Sequence, residues 1–285
     1  MKRRITVVLH PTRMQPRFVG RLGVADAVTV ANAALGFLAA VAATVEPELA
    51  ARLVLLAAIA DGLDGVVARK FGSTPAGEYL DSLADVASFG VAPAVLVFAV
   101  ARRQWRLAEP SIATVAAFCV PALFVAMAVV RLALYTAYEV GNAHTVGVPT
   151  TLSATVLAAA VLAGVAEPAV LLGATGLFAY LMVTSVTYPD LYARDALAMG
   201  GVQALAVLAP TAFGRAFPVL LLGAALAYLL LGPRFYWREV EAHEADGEPP
   251  DADGSAVEDA EAVSEVEATR GGSEVGDREV EGKRS

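Results

Sequence analysis

The chain has 285 residues, 57% of them hydrophobic and 18% charged, with a mean hydropathy of +0.59 and a net charge of −8. That hydropathy is too high for an ordinary soluble domain. Charge is also unevenly spread: residues 239–285 hold 16 acids and 4 bases, leaving a greasy body with 13 acids and 17 bases. Cys119 is the only cysteine and sits in an apolar run, which excludes a disulfide scaffold, and no basic stripe remains to read nucleic acid.

A helix needs about 20 mostly apolar residues to cross the hydrocarbon core. In chain order the predicted spans are Val28–Val45, Leu49–Asp64, Leu80–Ala101, Ile112–Tyr138, Thr151–Ala166, Ala169–Thr187, Ala196–Ala212 and Ala216–Leu231. The expected fold is therefore an all-α, polytopic membrane bundle of about eight helices. Short breaks at Glu167-Pro168 and Phe213-Gly214-Arg215 leave six or seven open. Three regions follow: a segment 1–27, a membrane body 28–232 and an acidic tail 233–285 expected to be disordered. The first 27 residues are too long and irregular for a signal peptide.

Lys2, Arg3, Arg4, Arg13, Arg17 and Arg21 precede the first span and put the chain's start in the cytoplasm. Arg69-Lys70 then returns inside, whereas Arg102, Arg103 and Arg106 fall outside as an exception to the positive-inside rule. With eight spans both termini are cytoplasmic. Only 3 of the 21 basic residues are lysines, which together with the acidic tail is compatible with a salt-adapted source.

Carboxylates within or at the edge of a bilayer are costly and mark function. Asp61-Gly-Leu-Asp64-Gly65-Val-Val-Ala68-Arg69 is followed, after seven residues, by Gly77-Glu-Tyr-Leu-Asp81-Ser-Leu-Ala-Asp85. Helical spacing puts Asp61, Asp64 and Ala68 on one face, and Gly77, Asp81 and Asp85 on another. The turn-forming Gly72-Ser-Thr-Pro-Ala link predicts antiparallel neighbours whose acidic faces oppose. Such a cluster calls for a cation, and all-oxygen ligation selects Mg²⁺, Mn²⁺ or Ca²⁺. Four carboxylates can serve two ions roughly 3.5–4 Å apart, an arrangement that clamps a phosphoryl group. Gly65, Ala68 and Gly77 leave room for a nucleotide, and Arg69 can pair with an acid or a phosphate. The bland alternative, interfacial capping, accounts for one or two of these acids.

These residues resemble the CDP-alcohol phosphotransferase family, whose signature is Asp-x2-Asp-Gly-x2-Ala-Arg, a gap, then Gly-x3-Asp-x3-Asp. It is complete here at Asp61, Asp64, Gly65, Ala68, Arg69, Gly77, Asp81 and Asp85. The resemblance implies a homodimer in the plasma membrane with a dinuclear Mg²⁺ or Mn²⁺ site open to the cytoplasmic leaflet. It makes Asp61, Asp64 and Asp81 metal ligands and Asp85 the general base, which also touches a metal. The run from Asp81 to Pro93, with Val130-Arg131-Leu132-Ala133 and Gly147-Val148-Pro149-Thr150, is similar to the phosphatidylserine synthase branch. Ala25-Asp26 stands where many members have Pro-Asn, and Leu134-Tyr135-Thr136 where the branch often has Arg-Phe-Asn. Those departures look like archaeal relatives that make archaetidylserine from CDP-archaeol.

The implied reaction moves a lipid phosphoryl unit from a CDP-activated lipid, CDP-archaeol or CDP-diacylglycerol, to the hydroxyl of L-serine and releases CMP. Arg131 would hold the serine carboxylate or the lipid-side phosphate; the alternative is a structural partner for an acid. Thr29 and Asn32 would contact nucleotide or pyrophosphate; the alternative is interhelical hydrogen bonding. Glycerol phosphate and inositol phosphate are rival acceptors, but each brings a dianion and only Arg131 is a membrane-embedded base. A cation transporter or channel would space its acids along the membrane depth instead. His10, His144 and His243 read as surface histidines, Cys119 as an apolar filler, and Trp105, Tyr236 and Trp237 as interfacial anchors.

Overall fold

The computed structural model describes residues 21–140, 144–189 and 193–236. The basic residues from Lys2 to Arg17, His10, His243 and the acidic tail from Trp237 onward lie outside the described residues.

The first helix, α1 (Val24–Val45), is joined through Glu46 to α2 (Pro47–Phe71). Pro47 suits a first helical position because its missing N–H has no partner to lose there. Gly72, with φ at 86°, ends α2 in a conformation costly for other residues. The next rod has two parts, α3 (Gly77–Asp85) and α4 (Ala92–Gln104), joined by a π-helical turn over Val86–Val91. Ala92 there donates to the carbonyl of Ala87, five residues back, and Pro93 has no N–H with which to restore ordinary spacing. The fourth rod, α5 (Ile112–Tyr138), starts at Ser111, whose hydroxyl accepts the Thr114 N–H at 3.1 Å. The remaining helices are α6 (Thr150–Ala163), α7 (Pro168–Leu181), α8 (Ala193–Leu208) and α9 (Ala216–Leu231).

Counting α3 and α4 as one rod, eight long helical rods stand among the described residues where eight spans are expected. Among the described residues, four stretches are long and apolar enough to cross a membrane: Val24–Val45, Gly77–Gln104, Ile112–Tyr138 and Ala212–Arg234. The 25-residue α2 is also long enough, but it carries Glu48, Arg52, Asp61, Asp64, Arg69 and Lys70. At 14 residues, α6 and α7 measure about 21 Å each, short of the hydrocarbon thickness. Nearly every side chain of α6 is buried, so it forms the centre of the bundle, packed by α2 and α9.

Three expectations change. First, the helix holding the predicted span Leu49–Asp64 continues to Phe71, which keeps Ala68 on the face of Asp61 and Asp64 as their spacing implies; nothing breaks it before Gly72. Second, the predicted helix over Ala169–Thr187 ends at Leu181, and Thr187–Pro189 forms a strand antiparallel to His144–Val146. Third, Cys119 is exposed on α5, so it fills no gap in the protein interior. Of the three arginines expected outside, Arg103 has a local partner. Arg103 donates to the carbonyl of Val45, the last residue of α1, where a cation also meets the negative end of the helix.

Candidate active site

Both α2 and α3 pack against α1 and scarcely against each other. The two arms do present their acids to each other as expected, with α1 rather than direct backbone packing as their common support. Across the gap between them, ligand oxygens of Asp61, Asp81 and Asp85 lie within 4.8 Å of one another. Asp85 is buried, whereas Asp61 and Asp81 are half-buried. Two carboxylates this close repel by about 3 kcal/mol at an effective dielectric near 20, so the cluster needs protons or a cation. Oδ1 of Asp85 is buried with no hydrogen-bond partner, the state of a ligand or base awaiting its partner. An all-carboxylate donor set of this kind fits a hard divalent cation.

Asp64 stands beside this trio. It is buried, and its Oδ2 accepts the hydroxyl of Thr29 from α1 at 2.8 Å. The same hydroxyl also lies 3.2 Å from the Ala25 carbonyl one turn back on α1, and its oxygen keeps a lone pair. Asn32, one turn further along α1, is fully buried, and neither atom of its amide has a partner. An orphaned donor and acceptor cost about 1–3 kcal/mol each unless a ligand meets them. The backbone carbonyl of Asn32 accepts the Ser88 hydroxyl at 2.8 Å, which fixes the π turn against α1. Gly36 makes this approach possible: a Cβ there would lie 2.6 Å from Ser88 Oγ and 2.7 Å from its backbone N and Cα.

Gly65 and Ala68 are half-buried on α2, and Arg69 is exposed with its guanidinium 3.7 Å from where a Cβ of Gly65 would stand. No described acid lies within ion-pair distance of Arg69. Gly77 opens α3, and a Cβ there would meet Oδ1 of Asp26 at 3.4 Å. Arg131 is buried on α5, over the ring of Tyr135, and donates from Nη2 to Thr145 at 2.7 Å. Its Nε has no partner. Glu139 accepts from Thr145 at 3.2 Å and from the Val146 N–H at 2.9 Å, folding the strand residues back toward Arg131.

Sequence reasoning passed over Asp26, Thr74, Ser88, Glu139 and Thr145. Asp26 had a signal, since it lies one turn before Thr29 on the same face of a membrane helix. The others depend on tertiary contacts with no local signature.

Residues 22–188 match the family model described as CDP-alcohol phosphatidyltransferase. Archaetidylserine synthase of Methanothermobacter thermautotrophicus is 31% identical over 169 residues, 58% of this chain and 68% of that protein. CDP-diacylglycerol–serine O-phosphatidyltransferase of Mycobacterium leprae is 54% identical over 55 residues, and the match spans 19% of this chain and only 18% of that protein. The protein of the same name from Methanocaldococcus jannaschii is 43% identical over 76 residues, 26% of this chain and 35% of its own. The family match spans both acidic arms, α1 and Arg131, the same elements that meet around the gap, and the chain belongs to the CDP-alcohol phosphatidyltransferase family.

Proposed function

We propose that this protein transfers the phosphatidyl or archaetidyl group of a CDP-activated lipid to the hydroxyl of L-serine, releasing CMP. The observation that carries this reading is the meeting of Asp61, Asp81 and Asp85 within 4.8 Å of one another. Asp61, Asp64, Asp81 and Asp85 would hold one or two Mg²⁺ or Mn²⁺ ions. A divalent ion bound there supplies charge neutralisation for the pyrophosphate and the departing CMP. Asp85 takes the proton of the serine hydroxyl as its oxygen attacks the lipid-bearing phosphorus and the bond to CMP breaks. The free Oδ1 of Asp85 supports that assignment.

Asn32, Gly65, Ala68, Arg69 and Gly77 receive the nucleotide and pyrophosphate, with the lone pair of Thr29 beside them. Arg131 receives the serine carboxylate through Nε, the donor that Thr145 leaves free. Names of relatives favour serine as acceptor and leave the donor either CDP-diacylglycerol or CDP-archaeol. The catalytic domain is residues 28–232, extended by the start of α1 at Val24. The site faces the cytoplasm of the plasma membrane, in keeping with the basic residues before α1, and the exposed apolar side chains of α1 and α5 suit lipid or a second copy in a homodimer.

The test offers purified protein Mn²⁺ and either CDP-lipid with labelled serine, glycerol phosphate or inositol phosphate in parallel. Labelled lipid is expected with serine. Label incorporated only from one of the two phosphates overturns the serine assignment.

A further inference from the structure

The acidic arms scarcely touch, so something other than their own packing must set the distance between Asp61 and the Asp81–Asp85 pair. Their covalent link is the five-residue stretch 72–76, which has no helix or strand to stiffen it. Asp26, only 2% exposed near the start of α1, meets this link directly. Its Oδ2 accepts the Thr74 hydroxyl at 2.8 Å and the Gly23 N–H at 2.7 Å. Its Oδ1 lies 3.4 Å from where a Cβ of Gly77 would stand, at van der Waals contact with the start of α3. The Thr74 carbonyl in turn accepts the Gly77 N–H at 2.9 Å, so the hold on Thr74 reaches the first residue of α3. Asp81 and Asp85 follow one and two turns along that helix. One turn beyond Asp26 on α1, Thr29 holds Asp64 of the other arm.

We propose that Asp26 is a positioning residue for the transfer reaction, fastening the linker and the base of α3 to α1 and thereby setting how far Asp81 and Asp85 stand from Asp61. A carboxylate suits the role. It sits in the first turn of α1, where the helix end favours negative charge, and two donors satisfy one of its oxygens. This inference rests on the reading of the three acids as a metal site.

The test uses the full chain in lipid nanodiscs with Cys119→Ala, nitroxide labels at Val66→Cys and Leu83→Cys, and pulsed electron resonance to measure their separation. Both labelled side chains are exposed, one on each arm. Asp26→Ala and Thr74→Val are expected to shift or broaden the distance distribution. Each is also expected to raise the Mn²⁺ concentration for half-maximal turnover about tenfold, with the KM for serine unchanged. Asp26→Asn keeps the size and one acceptor, and stays within about threefold of the parent. A general loss of stability would lower the active fraction without changing its metal requirement. An unchanged distance distribution in both Asp26→Ala and Thr74→Val overturns the proposal. Absence of any Mn²⁺ requirement in the parent overturns the metal reading instead, and the label distances still decide the role of Asp26.

Discussion

The hydroxyl of Thr29 donates to Oδ2 of Asp64 across 2.8 Å, joining the first helix to the arm that carries two of the four signature aspartates. One oxygen of Asp64 is therefore committed to the protein. Thr29→Val keeps the shape but removes the donor, leaving a buried carboxylate oxygen unmatched at a cost of about 1–3 kcal/mol. The expected result is a higher Mn²⁺ requirement with a smaller change in serine KM, read from metal titrations of initial rate.

Asp85 and Asp61 separate by role. Asp85→Asn leaves CDP-lipid binding largely in place but removes the base, lowering CMP release by about 10²–10⁴-fold. Asp61→Asn loses metal and activity together. Parallel assays of CMP release, CDP-lipid binding and Mn²⁺ resonance distinguish them, and retained turnover in Asp85→Asn rejects the base assignment.

Gly36 and Gly90 form a matched pair around the π turn. A methyl at Gly36 meets Ser88 at 2.6–2.7 Å, so α1 must retreat from the turn, whereas one at Gly90 meets the Ala128 methyl at an ordinary 3.5 Å. Gly36→Ala should cost about 1–3 kcal/mol or more and lower activity. Gly90→Ala should fold and turn over nearly as the parent. Thermal unfolding in detergent beside the rate assay checks both.

At the far end of the bundle, Arg215 donates to the Leu162 carbonyl and to Glu48, each at 2.8 Å, tying the starts of α9 and α2 to the end of α6. The two side chains of the ion pair are 34% and 40% exposed, so solvent screens much of their attraction. Arg215→Met is expected to lower stability by about 1 kcal/mol and leave the serine and Mn²⁺ dependence unchanged. A large change in either kinetic constant would show that this end of the bundle communicates with the acidic gap.

The order of the helices and the acidic signature were legible because apolar run length and i, i+3 or i, i+4 spacing are local properties. How the arms meet was not. Opposed acidic faces suggested direct contact, but α1 offers Asp26, Thr29 and the backbone of Asn32 as partners for the link, Asp64 and Ser88. Such partnerships join residues 35 to 56 positions apart and leave no periodic trace. The strand at Thr187–Pro189 was hidden for a related reason. Hydropathy continues past Leu181, and only the return of His144–Val146 supplies the strand's backbone partners.

The wide turn at Val86–Val91 makes the stretch between Asp85 and Pro93 intolerant of changes in length. Deleting one residue there would close the wide turn to ordinary α spacing and shift Ser88 off the Asn32 carbonyl that fixes the turn to α1. Point substitutions can alter the chemistry of this segment, but an insertion or deletion would undo the seam between the turn and α1. Among homologues that keep the same transfer, the interval from the last aspartate to the proline should therefore hold a constant count even where its residues differ.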